Sequence, residues 1–244
     1  MGDALTAGPL AGRRALVTGG TRGIGRAIAE RLRSHGADVT ITGTQQAPAL
    51  ADGFGYIAAD FADAAQVRRC AGQAAAMDLD ILVNNAGINI IGRFAEISAA
   101  DFERVQRVNV HAPFELCRAV VPGLRRKGWG RIVNICSIFG VISREFRAPY
   151  SASKFALDGL TAALAAEVAS DGVLANCVSP GFVDTDLTRR VLGESGMAQV
   201  AAQVPIRRLA QPEEIAALVV WIAGPENTYI SGQNIVIDGG FSRV

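Results

Sequence analysis

Short runs of aliphatic and β-branched residues alternate along this chain with longer stretches whose apolar positions recur every three to four residues. Seven runs read as strands, at residues 15–18, 39–43, 56–59, 81–83, 131–136, 174–178 and 235–237. Helical periodicity fills the gaps at 23–34, 64–77, 100–107 continuing to about 124, 149–170 and 212–223, with Pro212 suited to a first helical turn. Near-continuous apolar strands separated by helices mark a parallel sheet covered on both faces. The pattern therefore predicts an α/β fold, doubly wound, with a seven-stranded parallel sheet. Two segments stand apart: residues 1–9, expected to be a flexible leader, and residues 184–205, where weak periodicity and two glycines suggest a mobile substrate flap.

Composition narrows the choice of function. With 244 residues, 50% of them hydrophobic, the chain can bury one large core, so a single domain over 1–244 is expected. A net charge of +1 and a charged fraction of 19% give no field that would draw the protein onto nucleic acid or an anionic membrane. No apolar run approaches the roughly 20 residues of a membrane span, and Met1, Gly2 and Asp3 do not open a signal peptide. A cytoplasmic protein acting on a small molecule is the expectation. Cys70, Cys117, Cys136 and Cys177 lack any paired or metal-ligand spacing, and His35 and His111 are too few to add one. The cysteines read as small core hydrophobes, and no metal is expected.

The first strand runs through Thr18, Gly19, Gly20, Thr21, Arg22, Gly23, Ile24 and Gly25 straight into a helix. Glycines there permit a tight turn, let backbone approach a pyrophosphate, and bring the positive helix end to that anion. Glycine also serves any tight turn, so the placement between strand and helix carries the inference. At the end of the second strand, Thr42, Gly43, Thr44 and Gln45 include no acid to bond both hydroxyls of an NAD ribose. Arg22 can donate to a 2′-phosphate instead, although a merely solvated role stays open. NADP(H) is the preferred cofactor, and NAD(H) remains an alternative.

Tyr150 and Lys154 lie four apart in a helical segment, on one face and one turn from each other. An isolated phenol titrates at about 10, and a fixed ammonium beside a phenol favours its anion. Ser137 follows the strand 131–136, at the sheet end where ligands bind in doubly wound folds. Its hydroxyl can hold a carbonyl or alcohol oxygen. Asn109 sits inside a helix, where an amide is a middling former, and a local packing role competes with a functional one.

The spacing Gly19-x-x-x-Gly23-x-Gly25 and the set Asn109, Ser137, Tyr150, Lys154 resemble the short-chain dehydrogenase/reductase family, over residues from about 10 to the C-terminus. Within that family the chain is nearest to 3-oxoacyl-[acyl-carrier-protein] reductases. The resemblance implies a Rossmann fold and a catalytic tetrad in which Tyr150 exchanges the proton, Ser137 holds the substrate oxygen, Lys154 holds the nicotinamide ribose and Asn109 anchors a relay water. It also implies cofactor contacts from Asp60 and Phe61 at the adenine, from Asn85, Ala86 and Gly87, from Pro180, Gly181 and Val183, and from Thr185 at the carboxamide. Asn84 and Asn85 would in the plainer reading only shape a turn. Members are commonly tetramers, so a homotetramer is expected.

The substrate is less legible. Phe139, Arg144, Arg147 and Phe182 complete the candidate lining with Ser137 and Tyr150, and the two arginines would meet a carboxylate or phosphate unless they are solvated ends. Asp171 stands where such reductases often carry a basic residue, which counts against an acidic carrier. An NAD(H)-dependent dehydrogenase of a small hydroxy compound or sugar is the alternative enzyme, and an idle nucleotide-binding scaffold is the alternative of another class. Length argues against the longer epimerase and dehydratase branch.

Overall fold

The computed structural model describes residues 8–46 and 53–244. Most of the expected leader, residues 1–7, lies outside the described ones; by Leu10 the chain is already buried, its N–H bonded to the His35 carbonyl at 2.9 Å. Seven strands form one parallel sheet: β1 (Arg14–Val17), β2 (Asp38–Gly43), β3 (Gly55–Ala58), β4 (Ile81–Asn84), β5 (Gly130–Ile135), β6 (Val173–Pro180) and β7 (Asn234–Ile237). Their order is β3-β2-β1-β4-β5-β6-β7, with every pairing parallel. This is the fold class the sequence predicts.

Strand residues alternate between two cores, because successive side chains leave a strand on opposite faces. Ala15, Val17, Val39, Ile41, Ile81, Val83, Val133 and Ile135 meet α1 (Gly23–Ser34) and α7 (Pro212–Ile222) on one face. Leu16, Leu82, Ile132, Val173 and Ala175 meet α2 (Ala64–Ala76), α4 (Ala112–Lys127) and α5 (Ala148–Val168) on the other. Side-chain caps set two helix starts: the Asp63 carboxylate accepts from the Ala65 and Gln66 N–H groups, and Ser98 caps α3 (Ala99–Gln106) through Asp101. The chain moves outward from β1 to β3 and then crosses back to β4, so the carboxyl ends of β1 and β4 flank the crevice where doubly wound sheets bind ligands.

Two elements differ from the expectations. The helix expected from 100 to about 124 is interrupted by a π turn at Arg107–His111, which contains Asn109. The segment 184–205 is helical: α6 (Asp186–Gln203), broken by non-helical backbone at Gly193 with φ 63°. Its periodicity is weak because the helix is largely solvated, with Val200 its buried aliphatic residue among those described.

Candidate active site

The loop between β1 and α1 has the shape its glycines imply. Gly19 and Gly23 adopt positive φ, 64° and 55°. A Cβ on Gly25 would lie 2.4 Å from both the Gly19 carbonyl oxygen and Asn85 Nδ2, so the helix can approach the loop only without a side chain there. Arg22 caps α1 with extended backbone and no side-chain hydrogen bond, leaving the first-turn N–H groups without a side-chain cap. Thr18 Oγ1 accepts from the N–H groups of Asn85 and Ala86, each at 2.9 Å, and Asn85 Nδ2 returns bonds to the carbonyls of Thr18 and Gly19. Thr42 Oγ1 accepts from Gly19 N at 3.1 Å. The ends of β1, β2 and β4 are thereby tied into one rigid cradle.

Around it the other expected contacts are distributed as follows. Thr21, Arg22 and Thr44 are exposed at the β1 and β2 ends, with Ile24 half-buried beneath. Asp60 is exposed beyond β3, its Oδ1 accepting from Ala62 N, whereas the Phe61 ring is in the core. Pro180 ends β6, and a Cβ on Gly181 would come within 2.8 Å of Asp238 Cα. Val183 is buried and bridges to Ala210. Thr185 caps α6 through the Thr188 N–H, and its methyl is 3.5 Å from where a Gly23 Cβ would lie. Thus the start of α6 closes on the glycine loop.

Asn109, Ser137, Tyr150 and Lys154 converge at the carboxyl end of β5. Lys154 is 3% exposed, and its Nζ donates to the Ile135 carbonyl at 2.8 Å. Nζ lies 5.5 Å from the Tyr150 ring centroid. Asn109, held in the π turn, accepts from Ile88 N and donates to the Ile88 carbonyl and Ser153 Oγ, all at 2.9 Å. Ser153 Oγ donates to the Tyr150 carbonyl at 2.7 Å. A Cβ on Gly87 would meet Asn109 Oδ1 at 3.4 Å and Lys154 Nζ at 3.7 Å, which places both groups against the β4 loop. Ser137, nearly buried, accepts from Phe139 N at 3.2 Å and keeps its own proton free to donate.

An aromatic wall adjoins these groups. Phe139 meets Phe182 edge-on at 6.2 Å between centroids, and Phe182 meets Phe241 in the same manner at 5.2 Å. The Arg147 guanidinium stands over the Phe139 ring at 5.6 Å; Arg144, three residues earlier, is exposed. Asp171 forms an ion pair with Arg125 at 2.7 Å.

Several groups escaped the reading of the sequence. Thr18, Thr42 and Ser153 lay within segments already singled out, but their roles depend on hydrogen bonds between strands and across a helix turn. Phe241 gave no signal, since only folding brings the C-terminus to Phe182. The four cysteines are free and buried, and burial pushes Cys70 up to about 11 and Cys117 up to about 12, so both remain thiols. Among the described residues there is no cluster able to hold a metal ion, and no helix is long and apolar enough to cross a membrane.

Comparison with known proteins adds four findings. A family described as enoyl-(acyl carrier protein) reductase matches residues 19–242. The 3-oxoacyl-[acyl-carrier-protein] reductase FabG of Vibrio cholerae serotype O1 is 39% identical over 96% of this chain and 99% of its own. Among solved structures, a putative NAD(P)-dependent gluconate 5-dehydrogenase from Beutenbergia cavernae with bound NADP is 37% identical with a TM-score of 0.90, covering 96% of this chain and 98% of that one. A gluconate 5-dehydrogenase from Burkholderia cenocepacia in complex with NADP and tartrate is 32% identical with a TM-score of 0.89, covering 96% and 97%.

Proposed function

Since the chain belongs to the short-chain dehydrogenase/reductase family, we propose that it is an NADP(H)-dependent carbonyl reductase and alcohol dehydrogenase in which Tyr150 exchanges the proton. The enzyme class, an oxidoreductase acting on CH–OH or keto groups with NAD(P), follows from membership. The residues fit the dinucleotide: two glycines at positive φ, a third that admits no Cβ, and an α1 terminus with uncommitted N–H groups form a phosphate cradle. Gly19, Thr21, Gly23, Ile24 and Gly25 would hold the pyrophosphate, and Arg22 with Thr44 the 2′-phosphate. Asp60, Phe61, Asn85, Ala86 and Gly87 would line the adenosine side, and Pro180, Gly181, Val183 and Thr185 the nicotinamide side. When bound, the nicotinamide supplies or accepts the hydride.

Ser137 donates its free hydroxyl proton to the substrate oxygen, and Tyr150 gives that oxygen a proton or removes one. Lys154 spends one donor on Ile135 and has two left. One of these would reach the cofactor ribose. Asn109 commits both N–H groups to Ile88 and Ser153 but keeps an Oδ1 lone pair for a relay water. The segment 184–205 acts as the flap, entering beside Gly23 at Thr185 and bending at Gly193. The protein works in the cytoplasm as a homotetramer on a small molecule, without nucleic acid, membrane or metal.

The observation that carries this reading is the convergence of a buried Lys154, Tyr150, Ser137 and the Asn109–Ser153 bond at the carboxyl end of one strand. Two substrate classes are compatible with it. Likeness to the Vibrio reductase favours a 3-oxoacyl thioester, whereas Arg147 over Phe139 and likeness to gluconate dehydrogenases favour a small hydroxy acid. The test is Tyr150→Phe, assayed for NADPH consumption over ketones, oxo acids and oxo thioesters. Turnover should fall by about 10²-fold or more, as expected for loss of a positioned general acid, while NADPH binding persists. Turnover within about tenfold of the native enzyme would assign the proton to another group.

A further inference from the structure

The segment between Ser137 and α5 holds an unpaired cation at a structural cost. Phe146 adopts φ 64°, a left-handed conformation that a bulky residue adopts only under constraint, and its carbonyl is held by Gly92 N at 3.2 Å. The next residue, Arg147, caps α5 without a side-chain hydrogen bond of its own and sits half-buried over Phe139. No carboxylate pairs with Arg147 or with Arg144 among the described residues, although Glu145 lies between them. Burial lowers the Arg147 pKa, the like charge of Arg144 lowers it further, and the Tyr150 phenol opposes both. Arg131, a fully buried arginine, shows the usual solution: its guanidinium bonds three backbone carbonyls. Arg147 lacks any such partner and faces the same wall as the candidate catalytic groups.

We propose that Arg147 is the anion subsite of the substrate pocket and that the substrate is a small oxo or hydroxy acid, its carboxylate on Arg147 and its reacting oxygen at Tyr150 and Ser137. This rests on the reading of Tyr150 given above. Arg147, the N-cap of α5, stands three residues before Tyr150 in the first turn, so both groups can reach one short molecule. In the reducing direction the carbonyl carbon gains the hydride of NADPH, which becomes NADP+, and the oxygen gains the Tyr150 proton. The carboxylate is unchanged. A planar guanidinium binds a carboxylate through two parallel bonds, which fixes the orientation of the reacting carbon. The same cation would also bind the phosphate of a phosphopantetheinyl thioester, and the assay separates the two sources.

The native enzyme, Arg147→Ala and Arg147→Lys are compared on a series of short oxo acids, their methyl esters, and an oxoacyl phosphopantetheinyl thioester. The ratio of kcat/KM for acid over ester should exceed one in the native enzyme and fall about 10- to 100-fold in Arg147→Ala, the loss expected for a charge-assisted bond. Lys should restore part of it. An unchanged ratio overturns the proposal, as does a native preference for the phosphopantetheinyl thioester that Arg147→Ala abolishes. A second measurement does not need turnover: calorimetric binding of succinate to the NADP-loaded Tyr150→Phe protein, with and without Arg147→Ala. Succinate should bind at least about tenfold more weakly without Arg147. Equal binding overturns the subsite even if Tyr150 proves to be the proton donor, and Arg147-dependent binding in a protein that reduces no ketone upholds it while Tyr150 fails.

Discussion

Arg22 is the residue on which the choice between the two nucleotides turns. It caps α1 in extended backbone, φ −159°, exposed and in no ion pair among the described residues, while Thr44 lies exposed at the end of β2 with no acid beside it. A guanidinium so placed gains from a 2′-phosphate and is indifferent to a 2′-hydroxyl. Arg22→Ala should therefore weaken NADPH binding by about 1.5–3 kcal/mol, the range of a charge-assisted hydrogen bond, and leave NADH nearly unaffected. Fluorescence titration of both nucleotides measures this, and equal losses would place Arg22 away from the phosphate. At this scale the sequence was legible wherever one residue type alone meets a geometric demand. Gly19 and Gly23 need positive φ, and Gly25 must lack a Cβ. It was not legible where a group has no local signature: Ser153 links Asn109 to the Tyr150 carbonyl through two hydroxyl bonds, and any serine in a helix can do either.

Among the elements, those with a buried face were predicted and those without one were not. The apolar stripes of α1, α2 and α7 follow from contact with the sheet, whereas α6 lies largely in solvent and carried no stripe. The π turn at Arg107–His111 buries Val108 and Asn109 yet leaves no separate signature, since one extra residue in a turn shifts the register without changing composition. Helix α7 offers a test of how its start is held. Glu214 accepts from Gln211 N at 2.8 Å and pairs with Arg208 at 2.7 and 2.8 Å. The Arg208 guanidinium and the Gln211 N–H hold the Glu214 carboxyl at about 2, below its usual 4.5. A carboxyl depressed in the folded state stabilises above its unfolded pKa and loses that contribution as pH falls through the folded one. The pair is about half exposed, with side-chain exposures of 49% and 42%, so its worth is modest. Glu214→Ala should cost about 1 kcal/mol at pH 7, or roughly 2–4 °C in Tm. The gap to the native protein should shrink as pH falls from 4.5 toward 2, and Glu214→Gln, which keeps the cap acceptor, should lie between. A gap of constant size across that range would show that the carboxylate charge has no part in it.

For the whole molecule, the distribution of exposed apolar surface bears on assembly. Phe102 on α3, Phe114 on α4 and Phe155 on α5 are exposed at 42%, 47% and 47%. Along α5, Ala152, Ala156, Gly159, Ala163 and Ala166 are exposed at successive three- and four-residue steps, a smooth track on which a second helix can pack closely. Elsewhere Trp221 near the end of α7 is 43% exposed and Tyr229 96%. The edge strand β7 has Ile235, Val236 and Ile237 half-buried. An exposed apolar edge strand invites pairing unless something covers it. Two self-complementary faces, each used about its own two-fold axis, generate a closed four-subunit particle, while one face alone gives a dimer. The expected particle in sedimentation equilibrium at micromolar concentration is therefore the tetramer of the 25.5 kDa chain. Phe155→Glu should open the helical face and Tyr229→Glu the edge face, each leaving a dimer through the other, and the double substitution should leave single chains. A native particle of one chain mass would refute the assembly, and single substitutions that both leave the native mass would show that these faces are not its interfaces.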